Sequence, residues 1–161
     1  MYPYEQPSCD DYDPICTFKE PTESPLNDTE YPLVITTGRL PHFHHGTMRH
    51  APFVRELMPA PELRMNPETA AEYGIEHLDW VKITSRRGSS HARAHLTQGI
   101  APGVLITERF WNPECYDATQ ETITPGIEEC GYNIMSADSF QNPCFATNSY
   151  RAFTVKIEKC D

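Results

Sequence analysis

Leu33-Val-Ile-Thr-Thr-Gly38-Arg39-Leu-Pro41-His42-Phe43-His44-His45-Gly46-Thr47-Met48-Arg49 opens as a strand and closes as a polar loop. Leu33, Val34, Ile35, Thr36 and Thr37 are apolar or β-branched, which suits a pleated, half-buried surface, and Tyr31-Pro32 marks the entry. Gly38-Arg39 predicts a turn. Arg39, His42, His44, His45, Thr47 and Arg49 then crowd hydrogen-bond donors between Gly38, Pro41 and Gly46. Recognition groups collect on loops carried by a rigid sheet. An arginine fork holds phosphate or carboxylate oxygens through paired N–H groups, and glycine lets the backbone come close to a ligand. The stretch therefore predicts a site for a large polyanionic small molecule. No Gly-Lys-Ser/Thr follows, so it is not a P-loop, and no G-x-G-x-x-G leads into a helix.

Further along, the chain alternates short elements with turn residues. Val54-Arg-Glu-Leu-Met58 predicts a helical turn between proline stops, and Glu62-Leu-Arg-Met65 a short strand. Asn66-Pro67-Glu68-Thr-Ala-Ala-Glu-Tyr-Gly74 has the grammar of a short helix, with Asn66 as cap, Pro67 in the first turn and Gly74 closing it. Trp80–Thr84 and His91–Thr97 alternate as strands around the turn Arg86-Arg87-Gly88-Ser89. Ala92, Ala94 and Leu96 share one face of the second strand, and His91, Arg93 and His95 the other. Val104–Trp111 predicts a further strand ending on aromatics. Many short strands with Pro/Gly turns and only short helices predict a mainly β fold, a closed or nearly closed barrel with peripheral helices.

At 161 residues the chain is one domain with room for a real core. The formal net charge is -10, and residues 1–30 hold eight of the acidic side chains against Lys19. An acidic chain without a basic stripe is a poor nucleic-acid binder, and no apolar run is long enough to insert in a membrane. The six cysteines form no C-x-x-C pair, which favours free thiols over a zinc knuckle or an iron–sulfur loop. His42, His44, His45 and His50 lack a nearby Asp, Glu or Cys at ordinary metal-ligand spacing. Residues 1–30, with five prolines and clustered acids, predict an irregular lead-in before a barrel domain over 31–161.

Thr37-Gly38-Arg39, Phe43-His44 and Gly46-Thr47-Met48-Arg49 resemble the binding signature of the C-terminal molybdopterin dinucleotide-binding domain of the dimethyl-sulfoxide-reductase family of molybdenum and tungsten enzymes. Met65-Asn-Pro-Glu68-Thr-Ala70, Gly74-Ile75, Asp79-Trp-Val81, Ser85-Arg-Arg-Gly88, Gly99–Val104 and Phe110-Trp111 continue the resemblance in order. Tyr132-Asn133, Asn142-Pro143, Tyr150-Arg151-Ala152 and Val155–Lys159 are similar to its closing segment. The resemblance covers residues 18–159. It implies a double-psi β-barrel of the aspartate-decarboxylase-like type, and a lead-in that is the linker from a preceding domain. It departs at His45, where Thr or Ser is frequent, at Thr69, and at the turn His77-Leu78-Asp79, where the family has Asp-Gly-Asp.

The resemblance also implies the ligand, bis(molybdopterin guanine dinucleotide) with molybdenum or tungsten. Thr37, Gly38, Arg39, His44, His45, Gly46 and Thr47 would meet the diphosphate or the pterin edge. Asn66 and Asp79 would meet the guanosine end, although a helix cap explains Asn66 equally and a turn residue holding the Trp80 strand explains Asp79 slightly better. Trp111 would cover the pterin or plug the barrel mouth, and Asn133, Tyr150 and Arg151 would add late pterin contacts. Arg86 and Arg87 are expected to form an exposed turn. No nucleophile–base–orienter set has recognisable spacing, so no catalytic residue and no protein metal ligand is expected. The implied role is to orient the cofactor as the C-terminal domain or small subunit of an oxidoreductase whose preceding domains, or large catalytic subunit, carry the metal ligand and the iron–sulfur cysteines. Isolated, the chain would not turn over, and its cytoplasmic or periplasmic location and its substrate follow from the full-length enzyme. Two other readings are a cofactor-free structural domain on the same barrel and, through Ser89-Ser90, a decarboxylase or hydrolase.

Overall fold

The computed structural model describes residues 15, 18, 20–48, 51–109, 111, 131–137 and 151–160. Strands β1 (Leu33–Gly38), β2 (Glu62–Met65), β3 (Trp80–Thr84), β4 (Ser89–Leu96), β5 (Val104–Glu108) and β6 (Phe153–Lys159) close into a barrel in the order β1-β5-β2-β4-β3-β6. Helices α1 (Pro52–Leu57) and α2 (Pro67–Glu72) follow β1 and β2, and a 3-10 turn covers Tyr132–Ile134. β1–β5 and β2–β4 pair in parallel, and the remaining neighbours are antiparallel.

Period-2 alternation fills the interior. Ile35 stands beside both Leu105 and Phe153 in the ladders, Leu63 beside Ala94, Val81 beside Ala92, and Ile83 beside Ile157. All of these are buried. Each fully buried aliphatic side chain contributes about 1.5–3 kcal/mol, so inward alternation from every strand is what closes the barrel. Leu96, expected on the same face as Ala92 and Ala94, is only partly buried at the strand end.

Local sequence sets the boundaries with few exceptions. Asn66 Oδ1 accepts from Glu68 N at 2.9 Å and so caps α2, while Gly74 ends it at φ 64°. α1 begins at Pro52, earlier than Val54, because proline suits the first helical position. β5 stops at Glu108 and not at Trp111, since its parallel partner β1 ends at the facing Gly38. β4 starts at Ser89, two residues before His91, because Ser89 and Ser90 already pair with Thr84 and Ile83. β6 likewise begins at Phe153, opposite Ile35. Tyr150, Arg49, His50 and five of the six cysteines, all except Cys160, lie outside the described residues.

Arg86 and Arg87 are exposed on a bend between β3 and β4, as expected, and each also finds a carboxylate. Arg86 pairs with Asp28 and Arg87 with Glu23, so part of the lead-in is fastened to the β3–β4 turn. The sequence could not show this, because each carboxylate lies far from its arginine along the chain.

Candidate functional site

Parallel pairing puts the ends of β1 and β5 side by side, with Gly38 opposite Glu108. A Cβ on Gly38 would lie 2.8 Å from Ile106 Cγ2, so a side chain there would force the Ile106 methyl to shift. Beyond Gly38 the chain is anchored by its apolar residues. Leu40 is buried with Met58 and Trp111 in a second cluster, against which Phe43 and Trp80 pack. Phe43 meets the Trp111 ring edge-on at 6.2 Å between centroids.

With Leu40 and Phe43 as anchors, the polar residues between and beyond them line an open pocket. Gly38, Arg39, His44, His45, Glu108 and Arg109 surround about 400 Å³ of space, its open side included. His44 and Thr47 close a tight turn, in which Thr47 N donates to His44 O at 3.0 Å. The left-handed residue of this turn is His45, at φ 54°, and Gly46 is not in that region. The glycine expected to let the chain turn is therefore not the residue that turns it. The two imidazoles stack edge to face, 4.7 Å apart.

Arg39 is exposed and makes no hydrogen bond or ion pair among the described residues. A surface salt bridge, the plain alternative for this arginine, is not formed there. Nearby in sequence, His42 Nε2 is buried without a hydrogen-bond partner among them, a costly arrangement in a low-dielectric setting. Trp111 is 1% exposed, and its Nε1 donates to buried Glu108 at 3.2 Å. The ring is enclosed in the cluster with Leu40 and Met58. Thr37 is half-buried beside Thr107 in the β1–β5 ladder.

The remaining expected residues divide between the two ends of the barrel. β6 runs antiparallel to β1 with Phe153 opposite Ile35, so the exposed Arg151 enters from the end where β1 finishes. Exposed Asn133 lies on the 3-10 turn packed against Gly88, at the junction of β3 and β4. Asn66 and Asp79 belong to the opposite end. Asn66 Nδ2 donates to Ile100 O at 2.8 Å, just before β5 begins. Five residues of β5 therefore separate it from the Arg39 pocket, about 13 Å along the strand.

Asp79 is already engaged: it pairs with Lys159 at 2.7 Å and accepts from Glu76 N at 2.7 Å. The Lys159 ammonium, helped by that backbone N–H, holds its carboxyl below the usual aspartate value. Among the described residues no three His, Cys, Asp or Glu side chains are placed to hold a metal ion. Sequence reasoning missed Glu108 and Arg109. Both sit at the end of a predicted strand, and only the long-range parallel partner brings them to Arg39.

The fold is a closed barrel with a pocket lined by Arg39, Arg109, His44, His45 and Glu108 at the ends of two parallel strands. Residues 33–136 match the family described as the molydopterin dinucleotide binding domain, and the chain belongs to that family. It is a molybdopterin (guanine) dinucleotide-binding domain related to the dimethyl-sulfoxide-reductase family of molybdenum and tungsten oxidoreductases. The chain is 38% identical over 148 residues to a dopamine dehydroxylase of Eggerthella lenta, covering 89% of this chain and 14% of that protein. It is 38% identical over 136 residues to the alpha subunit of a formate dehydrogenase of Methanococcus maripaludis, covering 83% of this chain and 18% of that one. The fold matches the structure of acetylene hydratase from Pelobacter acetylenicus with a TM-score of 0.77, over 92% of this chain and 22% of that chain, at 22% identity. The chain thus spans less than a fifth of the length of these two relatives.

Proposed function

We propose that this chain orients bis(molybdopterin guanine dinucleotide), with molybdenum or tungsten, as the C-terminal domain or small subunit of an oxidoreductase, and has no complete catalytic site of its own. The observation that carries the reading is Arg39: an exposed guanidinium without a protein partner among the described residues, set in a pocket with Arg109, His44 and His45. A guanidinium left unpaired beside a second arginine favours an anionic ligand, and a diphosphate offers the oxygens its fork can hold.

The residues fit such a group. Arg39 would donate to the diphosphate, and the His44–Thr47 turn, with Gly38, would approach the diphosphate or pterin edge. His42 Nε2, buried without a partner, is a polar atom of the same loop for which a ligand or water would be a partner. Asn66 and Asp79 lie at the other barrel end, so a ligand reaching both must be elongated, as a dinucleotide is. Asn133, Tyr150 and Arg151 would complete the pterin side, and Trp111 would support the pocket from beneath. When bound, the metal–pterin group supplies the metal chemistry, and this chain supplies position and charge.

The barrel is read as the double-psi type, for which the two parallel pairs β1–β5 and β2–β4 within an otherwise antiparallel barrel are the support. Residues 1–30 are read as the lead-in from a preceding domain and 31–161 as the binding domain. The much greater length of the relatives supports partners in the form of preceding domains or a large subunit.

The test is calorimetric titration of the chain with guanosine 5′-diphosphate at low salt. Wild type is expected to bind, Arg39→Ala to bind at least tenfold more weakly, and Arg64→Ala, whose guanidinium pairs with Glu62, to bind as wild type does. Absence of binding, or equal binding by Arg39→Ala, would favour a cofactor-free structural domain.

A further inference from the structure

We infer that Arg87 is a positioning residue that ties the acidic lead-in and the Asn133 turn to one point of the barrel. Its guanidinium spans three segments distant in sequence. Nη1 and Nη2 donate to the two carboxylate oxygens of Glu23. Nε donates to Met135 O at 2.8 Å, and the guanidinium lies over the Phe153 ring at 5.3 Å. Glu23 is itself pinned, since its Oε2 accepts from Thr154 N at 3.1 Å on β6.

The neighbouring residues reinforce the same junction. Arg86 pairs with Asp28, which also accepts from Thr154 Oγ1 at 3.1 Å and from Tyr31 N at 3.1 Å. Ser85 Oγ donates to the same Met135 carbonyl at 3.0 Å. A Cβ on Gly88 would lie 2.5 Å from Ile134 Cγ2 and 3.0 Å from Ile134 O, so the turn rests directly on the β3–β4 junction. Asn133 is exposed on that turn. The way the chain enters the domain therefore sets where Asn133 stands. In one respect this rests on the proposed function: Asn133 matters to the cofactor only if that reading holds.

A lysine at position 87 would keep a charge for Glu23, but it lacks the planar fork that reaches Glu23 and Met135 together. This separates bridging from simple charge pairing. Hydrogen exchange of the cofactor-free chain, followed by mass spectrometry, tests it independently of ligand binding. Glu23→Gln and Arg87→Lys are each expected to speed exchange across 131–137 at least tenfold, with β1, β2 and β5 as protected as in wild type. Exposed Glu20→Gln is expected to change nothing. Wild-type exchange at 131–137 in either Glu23→Gln or Arg87→Lys would overturn the inference. So would loss of protection throughout the barrel, which would make Arg87 a folding residue, or the same loosening in Glu20→Gln.

Discussion

His45 holds φ at 54° where an L side chain is disfavoured by roughly 1–2 kcal/mol, although histidine tolerates this region better than most. Strain of this kind clusters at ligand clamps, and here it turns the loop that carries Arg39. Glycine adopts the same φ freely but loses more entropy on folding, so the two effects nearly offset. His45→Gly is expected to leave thermal stability unchanged or raised by up to about 1 kcal/mol. A clear fall in melting temperature would mean that the imidazole contributes more to the fold than its backbone costs. The crowding of donors between Gly38 and Gly46 was legible in the sequence, and the fold sets Arg39, His44 and His45 around one pocket. Which residue turns was not legible, because Gly46 advertised a freedom that it does not use. Arg86 and Arg87 were legible as an exposed turn, but their ion-pair partners were not. A charge pair in a turn looks solvated until the fold brings Asp28 and Glu23 to it.

At the scale of elements, α2 shows how far local chemistry carries. Asn66-Pro67-Glu68 and Gly74 gave both ends of the helix, and the structure adds a second bond, from Asn66 Nδ2 to Ile100 O. Asn66→Ala removes the cap and this link together, for an expected loss of about 2 kcal/mol in denaturant unfolding. A loss near zero would show that water replaces both. Alternation likewise announced β2 to β4, and a run of apolar and β-branched residues announced β1. Strand order was not legible. The parallel β1–β5 and β2–β4 pairs join strands that are not consecutive, and no local signal specifies such partners. Arg109 escaped notice for that reason, and Trp111, expected on a strand, lies beyond the end of β5 in the cluster with Leu40 and Met58.

For the whole molecule, acid should loosen the attachment between lead-in and barrel. Burial alone would raise the Glu23 carboxyl, but Arg87 and the Thr154 N–H outweigh it and hold the group below the usual glutamate value. Asp28 behaves alike: desolvation raises it, while the Tyr31 N–H, Arg86 and Thr154 bring it below the usual aspartate value. Carboxyls depressed on folding add stability that is complete above their unfolded values and lost as pH falls through the folded ones. Stability should therefore hold from neutrality to about pH 5 and decline below about pH 4, with a smaller decline in Glu23→Gln. Acid titration followed by circular dichroism checks this, and equal declines in both proteins would contradict it.

The central claim is that the pocket at the ends of β1 and β5 holds the anionic part of a dinucleotide through Arg39. Calorimetric titration with guanosine 5′-diphosphate, comparing wild type with Arg39→Ala, tests it most directly. Wild type is expected to bind, and the variant to lose at least tenfold in affinity. Equal affinity in the two, or no binding by a folded wild type, would contradict it.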